Sequence, residues 1–148
     1  MTLTPKETSL LKDLRNQEQI CIEKYNRYAS DACDGQLKNL FTQLGQTEMQ
    51  HLQTLDQIAS GTVPQMGGGS QPNDTFQASC CSPADKQKDA FLCGDALAME
   101  KHVSTEYDTC IFEFAQPELR NILNHIQKEE QQHGQRIYAY MSANNMYA

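Results

Sequence analysis

Two short motifs in this sequence combine a carboxylate and an imidazole at a spacing that could bind metal. Glu48 and His51 are three positions apart, and so are Glu130 and His133. On an α-helix this spacing places the two side chains of a pair on one face. Glutamate oxygens and imidazole nitrogens together suit iron or manganese, and they also bind zinc. One such motif alone is weak evidence, because both residue types are common on helix surfaces.

The second half of the chain repeats the first half without gaps at an offset of 82 positions, the separation of the two motif glutamates. Each motif also has a further glutamate 30 positions upstream of its own. The repeat therefore selects four glutamates and two histidines as candidate metal ligands. This set, the hexad, comprises Glu18, Glu48, His51, Glu100, Glu130 and His133.

Each hexad residue interrupts a stripe of apolar side chains instead of lying on a polar helix face. Glu18 continues the line of Leu11, Leu14 and Ile22, and the other five residues lie between apolar neighbours in the same way. The pattern predicts that all six side chains face the interior. Carboxylates buried together raise one another's pKa values, and each uncompensated buried charge costs on the order of several kcal/mol. Two divalent cations would neutralise the set.

In such a site Glu48 and Glu130 could each bridge both ions, while the other four hexad residues would be terminal ligands. We expect two metal ions, with iron as the expected metal and manganese or zinc as alternatives. Two matched tyrosines, Tyr25 and Tyr107, could donate hydrogen bonds to the ligand carboxylates, or they could only fill the core. The alternative to a metal site is a hydrogen-bonded polar layer without ions.

Other polar residues near the motifs leave an ambiguity. Glu129 precedes Glu130, and both could point partly inward. Thr47 occupies the place of Glu129 in the first half, so the repeat favours Glu130 as the ligand. His102 and His125 have no histidine counterpart in the first half, and we expect them on the surface.

Four helices must position these residues. Apolar periodicity predicts helices at about residues 5–31, 35–59, 83–115 and 117–141, and no segment shows the alternation of a strand. Thr4 and Ser82 are predicted to cap the first and third helices. Turns are predicted at Asp34-Gly35 and Gln116-Pro117, which lie midway between the upstream glutamate and the motif histidine of each half.

The segment at residues 60–81 is rich in Gly, Ser and Pro and has no apolar period. At ~3.3 Å per extended residue it can run the length of a helix, which would make the third helix parallel to the second. The predicted fold is an all-α four-helix bundle of two antiparallel hairpins joined by a long crossover loop, in one domain over residues 1–148. This arrangement would bring the hexad together at mid-height.

Composition restricts the classes of partner. The 148 residues carry a formal net charge of -7, so we expect no nucleic-acid partner. No apolar stretch is long enough for a membrane span, and the opening "MTLTPKETSLLKDL" lacks the order of a secretory signal. We therefore expect synthesis in the cytoplasm. The six cysteines form no C-x-x-C pair, and we expect free thiols.

A glutamate and a Glu-x-x-His, repeated after a long crossover, resemble the ligand pattern of the ferritin-like di-iron carboxylate proteins over about residues 5–141. A narrower resemblance is carried by "LKNLFTQLGQTEMQHLQTL", "PELRNILNHIQKEEQQH" and "SCCSPADKQKDAFLCGDALAMEKHVSTEYDTCIFE". These segments are similar to the spore coat protein F family of endospore-forming bacteria. That resemblance implies a small ferritin-like bundle in the spore coat. Its partners would be other coat proteins or further copies of the chain, for example in a homodimer.

Two functions remain open at this point. The first is a spore coat protein whose buried di-metal site has a mainly structural or protective role. The alternative is an active di-iron oxidoreductase, similar to rubrerythrin, that reduces peroxide or oxygen. The pattern assigns no catalytic residue beyond the metal ligands, so whether the chain is an enzyme stays open.

Overall fold

The computed structural model describes residues 1–66 and 72–147. It contains four helices: α1 (Pro5–Asp31), α2 (Gly35–Ala59), α3 (Pro83–Ile111) and α4 (Pro117–Ala143). No strand occurs in these two ranges. The predicted all-α fold is confirmed.

Local signals in the sequence set where the helices begin. Thr4 caps α1, and together with Glu7 it forms a reciprocal capping box, as predicted. The Asp34 side chain accepts a hydrogen bond at the start of α2, and the Ser82 side chain does so at the start of α3. Pro117 opens α4 without a side-chain cap. Proline suits this position because its missing N–H would have had no partner within the helix.

Two helix ends differ from the sequence prediction. α3 ends at Ile111 and not near residue 115, because Phe114 leaves the helical path and buries its ring in the core. α4 continues to Ala143, beyond the predicted end near residue 141. Asn144 then follows as its C-cap, where its side chain accepts a hydrogen bond from the Ser79 backbone N–H.

Side-chain contacts give the direction of α3 relative to α1. Tyr28 donates a hydrogen bond to Asp95, and Tyr107 donates one to Glu18. A later residue of α1 therefore meets an earlier residue of α3, which makes the two helices antiparallel. The same reasoning applies to α2 and α4. Gln43 contacts Arg136, whereas His51, later in α2, contacts Glu129, which is earlier in α4. These two helices are therefore also antiparallel.

The connection between α2 and α3 therefore crosses the length of the bundle. α3 starts beside the α1–α2 turn, where the Asp89 carboxylate accepts hydrogen bonds from the backbone N–H groups of Cys33 and Asp34. This end of the bundle is opposite to the C-terminus of α2. The result is two antiparallel hairpins joined by a crossover, with α2 and α3 parallel, as the sequence predicts.

The helices enclose one apolar core that a polar layer interrupts at mid-height. The largest fully buried side chains are Tyr25, Tyr107, Tyr140, Phe41, Phe114, Leu11, Leu14, Leu37, Leu40, Leu44, Leu55 and Ile58. In the described ranges, no helix combines the length and apolar composition that crossing a membrane requires. The six cysteines are all free thiols.

Candidate metal centre

The six hexad side chains are buried together in the polar layer. Their exposed fractions lie between 0% and 4%, which is exceptional for glutamates in particular. α1 and α3 each contribute one glutamate from the middle of the helix, and α2 and α4 each contribute a Glu-x-x-His pair. The interrupted apolar stripes of the sequence predict this burial.

The hexad forms two overlapping groups. Within each group, one candidate ligand atom from every residue lies within 4.8 Å of the others. The first group is Glu18, Glu48, His51 and Glu130, and the second is Glu48, Glu100, Glu130 and His133. Glu48 and Glu130 belong to both groups, so their carboxylates lie between the two places where a cation could bind.

Each histidine turns Nδ1 toward the carboxylates. His51 Nδ1 lies 3.0 Å from Glu130 Oε1 and 3.7 Å from Glu18 Oε2. His133 Nδ1 lies 2.9 Å from Glu48 Oε1 and 3.2 Å from Glu100 Oε1. Each imidazole thus faces the motif glutamate of the other hairpin and the upstream glutamate of its own.

Several hexad atoms are buried without a hydrogen-bond partner. They are Glu18 Oε2, both oxygens of Glu48, His51 Nδ1, Glu100 Oε2 and both oxygens of Glu130. An unsatisfied buried polar group costs about 1–3 kcal/mol, and more if it is charged. These atoms belong to the residues of the two groups, so a cation in each group could satisfy them. The donor set therefore fits a metal ion in each group.

One oxygen of each upstream glutamate accepts a hydrogen bond from a tyrosine. Tyr107 Oη donates a hydrogen bond of 2.6 Å to Glu18 Oε1, and Tyr25 Oη donates one to Glu100 Oε1. Each tyrosine comes from the hairpin opposite to its glutamate. Burial, and next the charge of the bound glutamate, raise the pKa of both phenols well above 10, so the tyrosines remain donors.

Burial and mutual charge shift the pKa values of hexad carboxyl groups. Burial, and next the charge of Glu48, raise the pKa of Glu18 to about 8. Burial and the charges of Glu100 and Glu48 raise the pKa of Glu130 well above its ordinary value. Glu48 behaves differently: burial acts to raise its pKa, but the neighbouring Glu18, His133 and His51 outweigh burial and hold the pKa well below its ordinary value. Protons therefore balance part of the charge in the metal-free chain.

The two imidazoles are shifted in the opposite sense to that of an isolated buried histidine. Burial alone would lower the pKa of His133, but the charges and hydrogen bonds of Glu100 and Glu48 raise it to about 9. The pKa of His51 is likewise raised well above 6.5, because the four carboxylates around the ring outweigh burial. Metal binding would have to displace these protons.

One comparison with known families gives a match, and it lies in the second half of the chain. Residues 88–148 match the Coat F domain. The matched range covers most of α3 and all of α4, and it includes Glu100, Glu130 and His133. Neither the curated proteins nor the solved structures gave a match. The first hairpin lies outside the Coat F match, and its likeness to the second rests on the internal repeat.

Within the matched residues 88–148, called the Coat F segment below, Glu129 has a contact that the sequence did not predict. Its Oε1 lies 3.0 Å from His51 Nε2, on the side of the ring away from the hexad carboxylates, and 3.3 Å from His125 Nε2. His125 is partly exposed and His102 is more so, and neither belongs to the two groups. The repeat could not reveal the Glu129 contact, because Thr47 holds the equivalent position in the first hairpin.

Cys21 is a second neighbour that the sequence did not predict. It is fully buried one helical turn after Glu18. Burial, and next the charges of all four hexad glutamates, raise the pKa of its thiol, which keeps it protonated. Val103 takes the equivalent place in the Coat F segment, so the repeat gave no signal for a polar residue here.

A groove of about 440 Å³ connects the surface to the edge of the site between α2 and α4. His51 and Glu129 form part of its lining. Most of the remaining lining is polar, with glutamine and threonine side chains of α2 and the His125 ring of the Coat F segment. The groove therefore reaches the side of the site where Glu129 contacts His51, and the His51 residue itself is 2% exposed.

Proposed function

We propose that this chain is a single ferritin-like domain of a spore coat protein, with the hexad binding two metal ions in a mainly structural or protective role. The observation that carries the proposal is the convergence of six buried ligand side chains into two groups that share Glu48 and Glu130. Polar residues that only stabilise a core are paired with one another, whereas these leave their inner atoms without partners.

Charge balance supports two ions. The four hexad carboxylates carry four negative charges when ionised, and two divalent cations carry four positive charges. Neutralising the set offsets the burial and the repulsion that otherwise keep protons on Glu18 and Glu130. Glu48 and Glu130 would bridge the ions, and the other hexad residues would each bind one ion. Carboxylate and imidazole donors suit iron best here, and manganese or zinc would also fit.

The Coat F match supports the location. It covers the hairpin that supplies half of the ligands, and the description of that family points to the spore coat. After synthesis in the cytoplasm, the partners would be other coat proteins or further copies of this chain. In such a layer, ions that bind side chains from all four helices would hold the bundle folded. A ligand present at a thousand times its dissociation constant stabilises a folded protein by about 4 kcal/mol.

Elemental analysis tests this function. Protein produced in iron-supplemented medium should contain about two metal ions per chain, and a variant carrying Glu48→Gln and Glu130→Gln should contain almost none. Glu23→Gln, at an exposed position of α1, is the matched control and should retain both. Wild-type protein without metal would end the proposal. Full metal content in the double variant would show that the ligands are elsewhere.

A second candidate function is an oxidoreductase that acts on peroxide or oxygen. The groove that reaches His51 favours it, and so do the carboxylate atoms that no hydrogen bond restrains. Bound iron would supply the redox chemistry, while the residues of the chain would hold the ions and exclude bulk water. Peroxide turnover that rises with metal content, and is lost in the Glu48→Gln, Glu130→Gln variant, would establish this activity. Two bound metals without turnover would favour the structural role.

A further inference from the structure

The two histidines of the hexad have different surroundings on the side away from the carboxylates. Behind His51 lies Glu129, whose Oε1 is 3.0 Å from His51 Nε2. Glu129 is held in turn near His125, and its side chain is 30% exposed at the groove. The His51 ring is thus placed between the hexad on one side and a carboxylate on the other.

The His133 side has other residues at the equivalent positions. The offset of the repeat relates Glu129 to Thr47 and His125 to Gln43. The Thr47 hydroxyl donates to the Gln43 carbonyl within its own helix, and the Gln43 side chain accepts a hydrogen bond of 2.5 Å from Arg136. Hydroxyl, amide and guanidinium groups therefore replace the carboxylate and imidazole of the His51 side.

We propose that Glu129 is a positioning residue that makes the two metal positions unequal, with the position at His51 binding a cation more tightly than the position at His133. This inference rests on the proposed function of the hexad. Glu129 accepts the outer N–H of the imidazole, which leaves Nδ1 as the nitrogen that faces the ion. A carboxylate in this place fixes the ring and makes it a stronger donor, and its loss typically lowers metal affinity about 10–100-fold.

The route by which a cation could enter also differs between the two positions, and it favours the position at His51. A cation that enters the groove between α2 and α4 meets the Glu129 carboxylate and the His51 ring at the edge of the site. On the other side, Arg136 is buried and bound to Asp74 of the crossover at 2.6 Å. The structure thus places a partly exposed carboxylate next to the His51 ring, whereas the guanidinium of Arg136 is buried in an ion pair.

A cobalt titration tests the inequality. Metal-free wild-type protein should bind two Co²⁺ ions in two resolved steps, followed by the visible absorption of the ion. Glu129→Gln should weaken one step about 10–100-fold and leave the other unchanged, with the stoichiometry still two. Thr47→Ser, at the equivalent position of the other half, is the matched control and should change neither step.

Second variants assign the affected step to a histidine. In a His51→Gln background, Glu129→Gln should have no further effect on cobalt affinity, because it acts through His51. In a His133→Gln background, it should still weaken the remaining position about 10–100-fold. Loss of a merely structural contact would lower the melting temperature of the metal-free chain and leave both cobalt-binding steps unchanged.

The outcomes distinguish the two proposals. Wild-type protein that binds no cobalt, iron, manganese or zinc contradicts the proposed function itself. Two ions that bind wild-type protein with equal constants contradict only the inequality. The same holds if Glu129→Gln changes neither constant, or lowers both by the same factor.

Discussion

At mid-height both hairpins present the same side chains to the bundle axis, a glutamate, a Glu-x-x-His pair and a tyrosine, whereas behind this layer they differ. The tyrosine of each hairpin binds the upstream glutamate of the other. Farther out, Glu129 of the second hairpin has only Thr47 as its counterpart in the first. In the shared inner layer, Glu48 and Glu130 belong to both groups of candidate ligands, whereas Glu18 and Glu100 each belong to one.

The contacts between α1 and α3 show the same contrast. Tyr28 of the first hairpin donates a hydrogen bond to Asp95. At the offset of the repeat, Tyr28 corresponds to Cys110 and Asp95 corresponds to Asp13, so a thiol replaces the phenol. Burial, and next the charges of Glu106 and Asp13, raise the pKa of Cys110 to about 11. An approximate two-fold relation in the interior is therefore compatible with unequal metal positions.

The largest expected effect breaks the symmetric layer itself. Glu18→Gln should remove one bound metal and Glu100→Gln the other, because each glutamate belongs to only one of the two groups. At a free metal concentration a thousand times the dissociation constant, the free energy of unfolding of the wild type should be about 4 kcal/mol higher than that of the metal-free chain. Denaturant unfolding with and without metal measures this difference. Loss of both ions from either single variant would contradict the division into two groups.

Much of this layer could be predicted from the sequence, since the helix period and the turn positions determine which residues share a face and a height. The structure brings the six predicted residues together, and their role as metal ligands stays a prediction. Glu129 could not be found in this way, because a residue next to a ligand lies about 100° around the helix and only a specific rotamer brings it to His51. The early end of α3 depends on how Phe114 packs, which periodicity does not report.

The pH dependence of the metal-free chain is the next largest expected effect. The pKa of Glu18 is raised to about 8 and that of His133 to about 9, so the folded chain holds protons that the unfolded chain releases at lower pH. Stability should therefore fall, by on the order of a few kcal/mol, as the pH rises from about 5 to about 9. Metal affinity should rise over the same range, because the competing protons leave.

Paired measurements of melting temperature and metal affinity at several pH values test both trends. Glu18→Gln removes one titrating group, so it should flatten the stability curve of the metal-free chain between pH 5 and 8. Glu23→Gln should leave the curve unchanged, since this residue is exposed on α1. A metal-free chain that gains stability across this range would contradict the shifts.

The ion pair between the crossover and the second hairpin gives a prediction of intermediate size. Arg136 is 6% exposed and donates to both Asp74 oxygens, at 2.6 and 3.1 Å, and also to Gln43. Asp74→Asn should destabilise the chain by about 1–3 kcal/mol, because it leaves a buried guanidinium without its counter-ion. Denaturant unfolding measures the change, and the exposed pair Arg15 and Asp56 is the control. Arg15→Gln should cost less than about 1 kcal/mol.

The smallest expected effect sharpens the comparison of the two hairpins most directly. Tyr25→Phe and Tyr107→Phe each remove one buried hydrogen bond to an upstream glutamate and keep the aromatic ring. Each should lower the stability of the metal-free chain by about 1 kcal/mol, and the two values should be similar because the contacts are equivalent. Tyr138→Phe, at a largely exposed ring, should change it little. If one substitution is neutral while the other costs several kcal/mol, the inner layer is not symmetric, and the inequality of the two metal positions cannot be attributed to Glu129 alone.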